Sequence, residues 1–156
     1  MQLVRLVYAS KKTAEFLSHD LEAILRKSNT NNEHQNITGM LCFNRKFFLQ
    51  CLEGSRTSVN RLYNKIANDP RHEDVMLLQY EEISERCFGD WMMSFLPESH
   101  LHRSLLLRFS INEDFNPYTM SAKSCFSLLH YVHEQLLDPQ SDYYVDQHSE
   151  EKKAQT

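Results

Sequence analysis

The chain has 156 residues, of which 41% are hydrophobic and 24% charged, and its net charge is −4. That make-up belongs to one globular domain with room for a proper core. It gives no electrostatic reason to expect direct nucleic-acid binding, and no apolar run approaches the ~20 residues of a membrane span, so a cytoplasmic protein with no membrane or nucleic-acid partner is expected.

Met1-Gln2 leads straight into an apolar run with no signal-peptide core, so the mature protein is expected to begin here. Residues 3–10 alternate as a strand, which places Tyr8 on the same face as Val4 and Leu6. Residues 13–28 then carry Leu17, Leu21, Ile24 and Leu25 at helical spacing, and the polar stretch 28–36 ends that helix as a loop. Two further strands, 37–43 and 47–53, are joined by the turn Asn44-Arg45-Lys46 as a hairpin. On the second of them Gln50 falls in line with Phe48 and Leu52. A buried tyrosine or glutamine costs on the order of 1–3 kcal/mol if its polar atoms find no partner. The two can satisfy each other, a buried polar ligand or nearby backbone.

A second helix spans 55–68, with Val59, Leu62, Tyr63 and Ile66 inward and Asp69-Pro70 as its stop. Residues 75–82 and 91–96 read as two more strands. The order is therefore α+β, a ferredoxin-like βαββαββ mixed sheet with two helices on one face. The opposite face is also apolar, through Leu3, Val7, Ala9, Phe47, Leu49 and Cys51, and needs its own cover. Helical segments at 101–108 and 121–137, the latter with Cys125, Leu128, Leu129, Val132 and Leu136 in phase, form that cap. Three parts result: a sheet domain over 1–97, a helical cap over 98–138 and a polar tail over 139–156. Arg5, on the capped face, is expected at the sheet edge or paired with an acid, whereas Glu53, Glu81 and Glu82 read as turn or surface charges.

The four cysteines show no CxxC pair, and Cys42 and Cys51 sit in apolar strands, which suits buried thiols in a reducing compartment. His130 and His133 beside Glu134, and His100 with His102, lack an obvious third ligand, so no metal is expected. Hydrolase motifs, paired catalytic carboxylates and phosphate-cradling glycine loops are absent from the sequence.

The remaining landmarks come in a specific order: Tyr8; Asn31-Asn32; Ile37-Thr-Gly-Met-Leu41; Phe48-Leu-Gln-Cys-Leu-Glu-Gly54; Asp69-Pro-Arg-His72; Trp91-Met-Met93. Together they resemble the BLUF family (blue-light sensing using flavin), over about residues 2–96, with the rest similar to the cap of short stand-alone members. The resemblance implies a non-enzymatic photoreceptor holding flavin non-covalently between the two first-half helices. FAD is the family's usual choice, with FMN and riboflavin as alternatives. The ring would face Tyr8 and Gln50, with Phe48 on the same strand face. Asn31 and Asn32 would hydrogen-bond the ring, with Ser28 nearby, and Ile24, Ile37 and Ile66 would press on its apolar faces. Lys65, Asp69, Arg71 and His72 fall where the family approaches the ribityl and phosphate groups.

On this reading Tyr8 gives up an electron and a proton and Gln50 relays the proton and rearranges its amide. Trp91 and Met93, on one face of the fifth strand, pass the change to the cap. The signal then goes to a separate protein partner or through a homo-oligomer. Two other readings stay open from the residues alone: a small flavin-dependent redox enzyme, and a cofactor-free ferredoxin-like interaction module.

Overall fold

The computed structural model describes residues 2–17, 20, 35–89, 94–96 and 98–143. Strands β1 (Leu3–Lys12), β2 (Thr38–Phe43), β3 (Phe47–Ser55), β4 (His72–Glu82) and β5 (Ser94–Leu96) form one sheet in the order β4-β1-β3-β2-β5. Every pairing is antiparallel except β2 with β5, which is parallel, so the sheet is mixed as expected for a ferredoxin-like plan with one added strand.

Helix α1 (Arg56–Ala67) begins where the Ser55 side chain accepts the Ser58 N–H, and ends where the Asn68 N–H reaches the carbonyls of Asn64 and Ile66. Gly54 lets the chain turn into it: a Cβ there would sit 3.3 Å from Ile37 and 3.4 Å from Val59. After β5 come α2 (Arg103–Phe109) and α3 (Ala122–Leu137), the latter capped by Ser121 accepting the Ser124 N–H.

Strand alternation sorts the side chains into two cores. One joins Val4, Leu6, Tyr8, Ile37, Leu41, Phe43, Phe48 and Leu52 to Val59 of α1. The other joins Val7, Met40, Cys42, Leu49 and Cys51 to Leu105 and Leu106 of α2 and to Cys125, Leu128, Leu129, Val132 and Leu136 of α3. The two-sided apolar pattern of β1 and β3 is thus met by helices on both faces, as the sequence predicts.

Three local expectations change. Residues 14–15 form a turn rather than the start of a helix, and Leu17 is 51% exposed. The reason is that β1 runs on through Lys12, and the Thr13 N–H continues to the Arg71 carbonyl at 3.2 Å. Helical conformation is seen at Asp20, whose carboxylate accepts the Leu17 N–H at 2.7 Å; residues 21–34 lie outside the described residues. Strand β4 starts at His72 instead of 75, because Asp74 adopts a left-handed φ of 49° beside the register shift opposite Ala9 and Lys11. The polar triplet His72-Glu73-Asp74 therefore reads as a loop while belonging to the ladder.

Candidate functional site

Tyr8 and Gln50 are direct partners across β1 and β3. The Tyr8 hydroxyl donates to Gln50 Oε1 at 2.5 Å. Exposure is only 2% for Tyr8 and 8% for Gln50, so the bond sits in a dry, apolar layer. Burial, reinforced by Tyr63 and Asp69, pushes the Tyr8 hydroxyl pKa far above its usual value. The hydroxyl is thus a neutral donor at any physiological pH. Tyr63 of α1 meets the Tyr8 ring edge-on, with centroids 5.8 Å apart.

The same strand face continues toward the end of β1. Ser10 Oγ lies 2.8 Å from His72 Nδ1, and the His72 ring lies against Phe48 at 4.9 Å. Burial lowers the His72 pKa, Arg71 acts in the same sense, and Asp69 opposes them. Beyond this, the Lys12 ammonium stands over the rings of Phe16 at 4.7 Å, Phe48 at 4.9 Å and Phe43 at 5.3 Å.

A cleft of about 660 Å³ opens beside this end, lined by Glu15, Leu17, Asp20, Lys65, Asp69, Pro70 and Arg71. Its arginine is already committed. Arg71 Nε reaches Asp69 Oδ1 at 2.9 Å and Nη2 reaches Oδ2 at 2.6 Å, a two-pronged pair. That hydrogen bonding outweighs burial and holds the Asp69 carboxyl at about 2.

The structure therefore gathers Tyr8, Ile37, Phe48 and Gln50 in one layer, with the half-buried Ile66 against the same core. Lys65, Asp69, Arg71 and His72 cluster at one end of that face. Ile24, Ser28, Asn31, Asn32, Trp91 and Met93 lie outside the described residues. Ser10, Lys12 and Tyr63 join the face without having been singled out. The signal for Ser10 and Lys12 was simple alternation from Tyr8; for Tyr63 it was its place on the inward stripe of α1.

The reading of Glu53 as a turn or surface charge is wrong. Its exposure is 0%, and it lies on the capped face as the direct partner of Arg5. Arg5 Nη2 reaches Glu53 Oε2 at 2.8 Å and Arg5 Nη1 reaches Glu81 Oε1 at 3.0 Å. The backbone N–H groups of Cys87 and Phe88 donate to the same Glu53 carboxylate at 3.1 and 2.7 Å. The Arg5 guanidinium also stacks 4.5 Å over Phe126 of α3. The signal was available: Glu53 shares its face with the apolar Leu49 and Cys51, and Arg5 shares its face with Leu3 and Val7.

The histidines on α3 do other work. His130 pairs with Glu134 at 3.3 Å, and His133 meets the Phe88 ring edge-on at 5.0 Å. Among the described residues no three His, Cys, Asp or Glu side chains converge to hold a metal ion, and no helix is long and apolar enough to cross a membrane.

The chain as a whole resembles known proteins. A family described as "BLUF: Sensors of blue-light using FAD" matches residues 3–94. The chain is 36% identical over 100 residues to the beta subunit of photoactivated adenylate cyclase from Euglena longa, covering 64% of this chain and 12% of that protein. The chain thus spans about an eighth of the length of such curated relatives. Among solved structures, BlsA in its photo-activated state superposes with a TM-score of 0.74 at 31% identity, covering 84% of this chain and 94% of that one. BlrB, a BLUF protein in its dark state, gives a TM-score of 0.69 at 31% identity, covering 83% and 93%.

Proposed function

The chain belongs to the BLUF family of flavin-binding blue-light sensors, and on that premise we propose that Tyr8 and Gln50 are its photochemical pair and that helices α2 and α3 carry the signal onward. The observation that supports this most directly is the buried 2.5 Å hydrogen bond from Tyr8 to Gln50 across neighbouring strands.

The residues present fit a flavin. The Tyr8–Gln50 pair offers a neutral donor and acceptor on an apolar floor of Leu6, Ile37, Leu41 and Leu52, as a flat ring edged with carbonyl and N–H groups requires. Ile66 of α1 adds an apolar wall, and the cleft beside Lys65 and Arg71 gives a polar side chain an exit. FAD is the species assigned here, in line with the family's description, with Asn31, Asn32, Ser28 and Ile24 completing the site. No cysteine is among these residues, so the flavin is held without a covalent bond.

Flavin, when bound, supplies blue-light absorption and an excited state that accepts an electron. The chain supplies the rest. In the dark, burial keeps the Tyr8 hydroxyl protonated and bonded to Gln50 Oε1. Once the Tyr8 ring has lost an electron, its hydroxyl proton is strongly acidic, and Gln50 Oε1 stands ready to receive it. When the electron and proton return to Tyr8, the Gln50 amide has a choice of two arrangements, by rotation or tautomerisation. The second one donates where the first accepted, and persists because the surrounding layer is dry.

Output passes through the capped face: residues 1–97 form the sensor, 98–138 the cap, and 139–156 a polar tail. Trp91 and Met93, next to β5, relay the change to α2 and α3, which hand it to a separate protein or to a second copy of the chain. The purified protein should be yellow, release its flavin on heating, and show a small reversible red shift of the flavin band after blue light. A spectrum unchanged by blue light overturns the assignment. Hydrogen exchange across residues 91–137 should differ between dark and light, and equal exchange there removes the proposed route while leaving the photochemistry standing.

A further inference from the structure

We propose that Lys12 is the anion-recognition residue of this site, the group that makes it prefer a phosphorylated flavin, FMN or FAD, over riboflavin. The inference rests on the flavin-site reading above and deepens it.

Three observations carry it. Lys12 occupies the site's own face, two residues beyond Ser10 and four beyond Tyr8, and it pairs in register with His72 on β4. The next residue, Thr13, is bonded through its N–H and its hydroxyl to the carbonyls of Arg71 and Pro70, at 3.2 and 2.8 Å. The backbone next to Lys12 is therefore fastened to the Pro70–His72 segment that borders the 660 Å³ cleft, while the ammonium itself lies over Phe16, Phe43 and Phe48.

The second observation concerns charge. Arg71 is cancelled by its two-pronged pair with Asp69, and Lys11 by Asp74 at 2.8 Å. Among the described residues, no carboxylate comes within ion-pair distance of Lys12. Lys65 also makes no ion pair among the described residues, but it is exposed where it lines the cleft, so water and salt screen it.

The third is the surroundings. The rings of Phe16, Phe43 and Phe48 hold the ammonium in place and strip part of its water. Burial lowers the Lys12 pKa despite the opposing charge of Glu98. A cation that has lost hydration and has no carboxylate partner gains more from an incoming phosphate than a solvated or already paired one does. Phe48 links the two ends of the site, since it touches both Lys12 and His72.

The test titrates riboflavin, FMN and FAD into the flavin-free 156-residue chain, comparing wild type with Lys12→Met, Lys12→Arg and Lys65→Gln by fluorescence quenching. Lys12→Met should weaken FMN and FAD binding roughly tenfold and leave riboflavin affinity within about twofold, a tenfold change being ~1.4 kcal/mol. Lys12→Arg should keep the preference, and Lys65→Gln should change it less than Lys12→Met. Raising the salt from about 0.05 to 0.5 M should narrow the gap between FMN and riboflavin in wild type but not in Lys12→Met. Equal weakening of all three flavins would mean that Lys12 only props the aromatic cluster, which overturns the inference while leaving the flavin site intact. An unchanged FMN preference in Lys12→Met also overturns it. Wild-type protein that binds none of the three would overturn the flavin site itself.

Discussion

Two buried polar pairs cross the same ladder between β1 and β3, three residues apart on each strand. Tyr8 faces Gln50 and Arg5 faces Glu53. The first pair lies on the face under α1 and is neutral, joined by the 2.5 Å bond between Tyr8 and Gln50. The second lies on the face under α3 and is ionic, with the Glu53 carboxylate held by Arg5 and by the N–H groups of Cys87 and Phe88. A neutral hydroxyl–amide pair has a second arrangement of nearly equal energy, because an amide carries a donor and an acceptor side by side. A buried ion pair has none: either charge left alone in a dry interior is strongly penalised. One strand pair thus carries a part that can change next to a part that cannot. The Gln50 rearrangement proposed above would take place against a fixed frame, which favours transmission over dissipation.

The largest test of that contrast is Glu53→Ala, which leaves Arg5 with the half-exposed Glu81 as its acidic partner among the described residues. It should cost about 3–5 kcal/mol in urea unfolding and deprotect the Cys87 and Phe88 amides in hydrogen exchange. A loss below ~1 kcal/mol would show that the ionic pair is no anchor. Gln50→Leu comes next: it strands the Tyr8 hydroxyl, for a cost of about 1–3 kcal/mol. Flavin should remain bound and the reversible red shift should vanish from the light-minus-dark spectrum. Tyr8→Phe is gentler, at about 1 kcal/mol, because the amide keeps other options. It should also abolish the reversible shift, and a normal photocycle in this variant would remove Tyr8 as electron donor.

The smallest effect is on pH. Burial depresses the His72 pKa and Arg71 depresses that of Asp69, to about 2. A group with a lowered folded-state pKa favours the fold above its unfolded value and loses that contribution as pH falls through the folded one. The His72 contribution should therefore fade below about pH 6.5, and the Asp69 contribution from about pH 4 down to about pH 2. Thermal unfolding of wild type and His72→Gln between pH 7 and 5 should converge as pH drops. A constant gap would assign the difference to packing instead of protonation.

Much of this was legible in the residues because periodicity reports faces. The alternation in β1 and β3 places Tyr8 and Gln50 on one side and demands a cover for the other, and both follow from side-chain period alone. The ordered landmarks then mark the face that the proposed function assigns to flavin. Glu53 was misjudged because a carboxylate before glycine, at the end of a strand, looks like a turn residue. Its burial depends on Arg5, 48 positions away, and on backbone groups of Cys87 and Phe88. Lys12 escaped for a related reason. Alternation from Tyr8 puts Lys12 on that face, but three aromatic rings from three separate segments have to meet before a surface lysine becomes a half-buried cation.

Strand β4 forms one edge of the sheet, and Met76, Leu77 and Tyr80 stand 43–48% exposed along it. Such an edge is a template for uncontrolled strand addition. Here the apolar middle is bracketed by Glu73 and Asp74 at one end and by Glu81 and Glu82 at the other. Two copies meeting antiparallel along this edge would set acid against acid at both ends. The bracketing acidic residues act as gatekeepers against strand addition along this edge.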